Sequence, residues 1–242
     1  WCYGTDGRCE SIPSADCVPD TARQRAYPVE ERHGLVFFYN GRTPAFPLPF
    51  FFDEQPEDYR PGRRFRFVAD CSWYMLAAHG FDRQHFESVH ARRLSSPLQV
   101  DCPHEYARRS QYTAEVVGDT IFDRLLRRYV GSEVSISITT WAGTMILITG
   151  TFARANSRFL IATAPIDDES TQCDVFVFCR RGKSAFSEYV WEPLSLETRR
   201  WFTAGYMVEE MNMLGHPRYN PRGLIPSDRE MIEYFQWAAK LR

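Results

Sequence analysis

The sequence predicts an α+β fold, in which a curved antiparallel sheet wraps around a long C-terminal helix behind a small all-β piece. Three observations predict it. Residues 112 to 180 alternate apolar and polar side chains and are rich in β-branched types. Helical spacing takes over after residue 195, and the first forty residues are short extended segments punctuated by glycine. With 44% hydrophobic and 15% aromatic residues, 242 residues can bury the core of one large domain plus an appendage.

The chain opens at Trp1 with "WCYGTDGRCESIPSADCVPD" and reads as a piece of something longer. Asp6-Gly7 marks a tight turn, and "AYPVEERHGLVFFYNG" offers two strands broken at His33-Gly34, so residues 1–41 form a small β module. Residues 42–62 carry five prolines with almost no periodicity, which suits a linker. A second domain covers 63–242. It begins with a helix over 73–89, where Trp73, Leu76, Phe81, His85 and Val89 recur at spacings of three to five and Gly80 weakens the pattern. "AEVVGDTIFDRLLRRY", "EVSISITT", "TMILITGTFA", "RFLIATAPI" and "CDVFVFCRR" then read as an antiparallel meander. Ser195 can cap a helix that stops at Gly215 and Pro217, and a last helix fills 228 to 241.

Several functions are excluded by composition. Net charge is −2 and basic residues come in pairs such as Arg108-Arg109 and Arg127-Arg128, which implies no nucleic-acid surface. No apolar run approaches the roughly 20 residues of a membrane helix. Seven scattered cysteines without a signal-type segment suggest reduced thiols and a cytoplasmic setting.

The chemistry gathers in "AAHGFDRQHFESVHARRL", residues 77 to 94. Two imidazoles and one carboxylate converging on Fe(II) occupy one face and leave positions opposite for oxygen and substrate. His85 and His90 are the candidate imidazoles. An ideal helix sets residues five apart roughly 140° away from each other, so their convergence needs a widened or broken turn. Without that, His85 is a hydrogen-bonded core residue and His90 a surface one.

The run Asp82, His85, His90 has the Asp-x-x-His-x-x-x-x-His pattern and resembles the Rieske non-haem iron oxygenases. Trp1, Tyr3, Gly7, Ile12 and Pro13 resemble the segment directly after the second cluster motif of that family, and "YPVEERHGLVFFYNG" the closing strands of its cluster domain. The resemblance implies a helix-grip (START-like) catalytic domain behind the remnant of a [2Fe-2S] Rieske domain. It also implies a mononuclear Fe(II) held by His85, His90 and an acidic residue far downstream. Asp228 is the choice there, because Ser227 and Glu230 can form a capping box around it; Glu230, Glu209 and Glu210 are the competitors. Asp82 is expected to accept the far N–H of His85 and to bridge electron transfer from a neighbouring subunit's cluster. His79 stands near a place where the family often has asparagine, and is expected either to donate a hydrogen bond to a metal ligand or to be an extra polar lining residue, not to be a ligand itself. The alternative for each carboxylate is plain: an exposed helix residue, or a first-turn complement to the dipole.

The paired cluster motifs, Cys-x-His and then Cys-x-x-His-Gly-Trp, are missing, so this chain is not expected to ligate the [2Fe-2S] cluster that the full-length protein would carry; Cys2, Cys9 and Cys17 are ordinary thiols. Glu87 does not complete the His-Glu-x-x-His of zinc peptidases, and His104 and His216 sit beside prolines as loop residues. The resemblance further implies O2, an apolar aromatic or sterol-like substrate, an NAD(P)H-dependent reductase with or without a ferredoxin, and a homotrimer. A metal-free carrier of hydrophobic ligands and a zinc hydrolase are the competing classes.

Overall fold

Period-two alternation puts every second side chain of a strand on one face, and register then decides which rows meet across a sheet. The computed structural model describes residues 1–214 and 217–241, apart from the side chains at 209 and 212–214. It divides into two compact units, Trp1–Pro49 and Phe50 onward.

In the first unit, β1 (Cys2–Tyr3) pairs with β2 (Cys9–Ser11) around Gly7, whose φ is +78°. β3 (Val29–Arg32) pairs with β4 (Leu35–Phe38) through His33-Gly34, both at positive φ as a primed two-residue hairpin turn requires. Arg32 holds the end of the unit by donating to the carbonyls of Leu48 and Pro49 at 2.9 and 3.1 Å.

The second unit is α+β, with a large antiparallel sheet. Its strands are β5 (Tyr59–Pro61), β6 (Phe65–Ala69), β7 (Arg92–Leu94), β8 (Gln99–His104), β9 (Ala107–Val116), β10 (Glu133–Trp141), β11 (Met145–Phe152), β12 (Asn156–Pro165) and β13 (Thr171–Arg180). Among the described residues the main order is β5-β13-β12-β11-β10-β9-β7, with β6 beside β13 and β8 beside β9. One core row crosses five strands in register: Ser110, Ile138, Ile148, Phe159 and Val177. The intervening row, Gln111, Ser137, Thr149 and Arg158, is polar and belongs to the other face.

The helices are α1 (Met75–Ala78), α2 (Arg83–Ser88), α3 (Ile121–Leu125), α4 (Glu192–Leu214) and α5 (Arg229–Ala238). Leu196 and Met207 of α4 and Tyr234 and Phe235 of α5 join Ile138, Phe159 and Val177 in one buried apolar cluster. None of the helices among the described residues is long and apolar enough to cross a membrane.

Four expectations need correction. Residues 121–130, read as strand, are helical: the Thr120 side chain caps α3 by accepting from the Asp123 N–H at 3.1 Å. Residues 50–62, read as linker, belong to the second unit, where Tyr59–Pro61 is an edge strand on β13. The helix over 73–89 is broken at Asp82. The C-terminal helix begins at Glu192, ahead of Ser195. Its predicted stop at Gly215 lies outside the described residues, as does His216.

The β10–β11 hairpin supplies a stability test. Ala142 and Gly143 have φ of +47° and +70°, and Thr144 N–H closes the turn on the Trp141 carbonyl at 3.1 Å. A Cβ built on Gly143 would overlap the Trp73 ring. Gly143→Ala should therefore destabilise the chain by about 1–3 kcal/mol, through backbone strain and overpacking together. A urea melt measures it, and an unchanged midpoint would contradict the geometry.

Candidate metal centre

The break in the helix makes the site. After α1, residues His79–Phe81 form a single 3-10 turn, and Asp82 then turns extended (φ −99°, ψ 105°) before α2 restarts the helix. Asp82 drives the restart: its Oδ1 accepts the main-chain N–H groups of Gln84 and His85 at 2.9 and 3.2 Å. This differs from the expected bond to the His85 ring, because an N-terminal carboxylate is the natural acceptor for orphaned first-turn donors. Gly80 lies so close to the sheet that an added Cβ would come within 2.9 Å of Ile138 Cγ2, and Ser110 Oγ donates to the Gly80 carbonyl.

α2 ends at Ser88, and Ala91 lies beyond it in the left-handed region at φ +48°. Arg92 fixes this exit, donating from Nη1 to the His90 carbonyl at 2.7 Å and to Asp123 Oδ1 at 2.8 Å. Both charged partners are buried. His90 is consequently turned back towards His85, and the two rings lie edge to face with centroids 4.7 Å apart.

The carboxylate that meets them is Glu210, from α4. His85 Nε2 and His90 Nε2 each lie 2.9 Å from Glu210 Oε2 and 3.0 Å from each other. His79 Nδ1 lies 3.0 Å from the other oxygen, Oε1. All but His79 are buried. Tyr206, one turn before Glu210, stacks on the His90 ring at 4.0 Å.

Hydrogen bonding alone cannot satisfy the triangle of His85 Nε2, His90 Nε2 and Glu210 Oε2. If one nitrogen lacks a proton, its lone pair faces the carboxylate; if both carry one, two N–H groups crowd together. His90 Nδ1 is also buried with no hydrogen-bond partner among the described residues. One cation facing three lone pairs removes the conflict. Three donors at right angles, with bonds of about 2.1 Å, lie about 3.0 Å apart, whereas tetrahedral zinc spreads its donors to about 3.3 Å. The observed edges of 2.9, 2.9 and 3.0 Å are short enough for all three atoms to face one ion.

The electrostatics favour the same state. Burial alone would raise the Glu210 carboxyl, but hydrogen bonds from His79, His85 and His90 overcome it and hold the group well below its ordinary value. Burial lowers His90 against the pull of Glu210, which favours the neutral imidazole. An ionised carboxylate and a neutral imidazole are the forms that bind metal. Burial, with the charges of Asp70 and Glu210 adding to it, pushes the nearby Cys71 thiol up to about 11.

Asp228 is not in this cluster. Its Oδ2 accepts the Ile225 N–H at 2.9 Å, closing the turn ahead of α5, and Ser227 Oγ accepts from Gln84 Nε2 instead of forming the expected capping box. The structure thus brings His85 and His90 to Glu210, not to Asp228. A Cys-x-His triplet does occur at Cys102-Pro103-His104, without a Cys-x-x-His partner. Cys102 Sγ there accepts from Arg108, and His104 Nδ1 from the Tyr106 N–H.

No family model matches the chain. Two curated relatives do: the oxygenase subunit of 5,5'-dehydrodivanillate O-demethylase from Sphingobium sp., 31% identical over 99 residues, and the oxygenase component of 3-ketosteroid-9-alpha-monooxygenase from Rhodococcus rhodochrous, 23% identical over 141. These matches take in 38% and 57% of this chain and only 23% and 34% of the relatives. Solved structures agree over nearly the whole length. Dicamba monooxygenase bound to dicamba has a TM-score of 0.60 at 14% identity, with 99% of this chain and 76% of that one covered. Pseudomonas putida CBB5 NdmA with caffeine gives 0.65 at 16%, covering 98% and 69%. In sequence over part of its length and in fold over nearly all of it, the chain resembles the family its histidine motif suggests, the Rieske non-haem iron oxygenases.

Proposed function

We propose that this chain is the iron-binding part of a terminal oxygenase, with a mononuclear Fe(II) held by His85 Nε2, His90 Nε2 and Glu210 Oε2. The observation that carries the reading is the donor triangle, with edges of 2.9, 2.9 and 3.0 Å. When bound, the iron supplies O2 activation beside an organic substrate. The chain's own residues set the ligand geometry and exclude water. Phe81, Phe86, Tyr112 and Ile138 are buried in the apolar cluster that includes this segment, which favours an apolar, ring-bearing substrate. Of the two curated relatives, the one named as a 3-ketosteroid-9-alpha-monooxygenase fits that class.

Electrons would come from a [2Fe-2S] cluster carried by a longer form of the protein, fed by an NAD(P)H-dependent reductase with or without a ferredoxin, in a cytoplasmic homotrimer. Asp82 is the proposed bridge from a neighbouring subunit's cluster, on the strength of the motif. Its contact with His85 is to the main-chain N–H, which it accepts at 3.2 Å.

Metal analysis tests the reading. Purified without oxygen, the chain should hold about one iron, in keeping with two imidazoles and one carboxylate on one side of an open site. Stoichiometric zinc would point to a hydrolase and absence of metal to a carrier, and either result would overturn the proposal.

A further inference from the structure

Glu210 has two oxygens, and they do different things. Oε2 faces both Nε2 atoms of the triangle, while Oε1 is turned to His79 Nδ1 at 3.0 Å. His79 is held for this from two sides. It sits at the start of the 3-10 turn whose next residue, Gly80, is pinned by Ser110, and its ring stacks on His85 at 4.8 Å and 16°. Freedom to swing away is small.

We infer that His79 is a positioning residue, which donates its Nδ1–H to Glu210 Oε1 and so restricts the carboxylate to one metal bond through Oε2. The inference rests on the iron reading above and deepens it. A free carboxylate at a divalent cation can close over it with both oxygens. Engaging one oxygen in a hydrogen bond to a held donor opposes that, favours an additional open position, and orients the carboxylate for bonding through the other oxygen. The carboxylate also needs this partner more than a shorter one would. A glutamate has one more rotatable bond than an aspartate, and burial without a donor on Oε1 would leave an ionised oxygen unsatisfied.

Anaerobic titration of the chain with Fe(II) and with Co(II), against a competing chelator, tests this together with X-ray absorption of the loaded forms. His79→Ala should still bind one metal, but about 10- to 100-fold more weakly, the range expected for an outer contact to a ligand. Its coordination shell should gain an oxygen at bonding distance as Glu210 closes over the ion. His79→Gln, whose amide can donate to the same oxygen, should recover most of the affinity and the original shell. Three results would overturn the inference: an unchanged affinity and shell in His79→Ala, a shell that loses a nitrogen, or loss of binding as complete as in His85→Ala. The last two would make His79 a ligand. No metal binding by the unsubstituted chain would instead overturn the iron reading itself, and with it this inference.

Discussion

Glu210→Gln should reduce Fe(II) affinity by more than about 100-fold, beyond the range of outer contacts to a metal site, whereas Asp228→Ala should change it less than about twofold. The amide preserves the volume of the buried side chain but carries no charge. It can offer a carbonyl oxygen to the ion or to His79, and cannot serve as the anion that three imidazoles converge upon. Asp228 spends its carboxylate on the Ile225 N–H, so its loss should register as a weaker start to α5, about 0.5–2 kcal/mol in a urea melt, and not in metal content. Chelator competition on the three proteins separates the two carboxylates. Iron lost from the Asp228 variant and kept by the Glu210 variant would reverse the assignment.

Asp123→Ala should cost about 3–5 kcal/mol, because it strands a buried guanidinium. Arg92 and Asp123 are each over nine-tenths buried, and the same Arg92 nitrogen also holds the His90 carbonyl. Without its partner, Arg92 must find water or move, and either releases the left-handed exit at Ala91. Asp123 is further tied to Thr120, whose hydroxyl donates to its Oδ2 at 2.6 Å. The effect should therefore be double: a lower urea midpoint and weaker metal binding through a loosened His90. Pairing it with Arg92→Met, so that no charge is left behind, should recover stability without restoring the hold on His90. A variant as stable as the parent would show that the pair contributes nothing.

How much of this is legible in the sequence depends on the range of the signal. The strands can be read because alternation is local, and the rows Ile138, Ile148 and Phe159 emerge once antiparallel register is assumed. The histidine motif, too, is local, and the 140° offset on an ideal helix already demands a break between His85 and His90, which the structure has where α2 ends at Ser88. Residues 121–130 mislead because apolar residues in a short run satisfy both periods, and the Thr120 cap decides between them.

The carboxylate is harder. Asp228 stands out through its apparent cap, a surface signal, while Glu210 is recognisable only by phase. Leu196, Thr203, Met207 and Glu210 recur at steps of seven, four and three, and all four are buried. An acidic residue on the inward stripe of an amphipathic helix requires a buried partner, which Glu210 has in three histidines.

The distance along the chain between the donors has one more implication. His85 and Glu210 are 125 residues apart, with five long strands made between them. An ion cannot gather such donors in an unfolded polypeptide the way zinc gathers closely spaced ligands in a finger, so it has little power to nucleate the structure. The sheet-and-helix core must already stand before the clasp can shut. During synthesis the imidazoles emerge long before their counter-charge, so on the iron reading metallation would be a late event, reporting on a finished architecture instead of creating one.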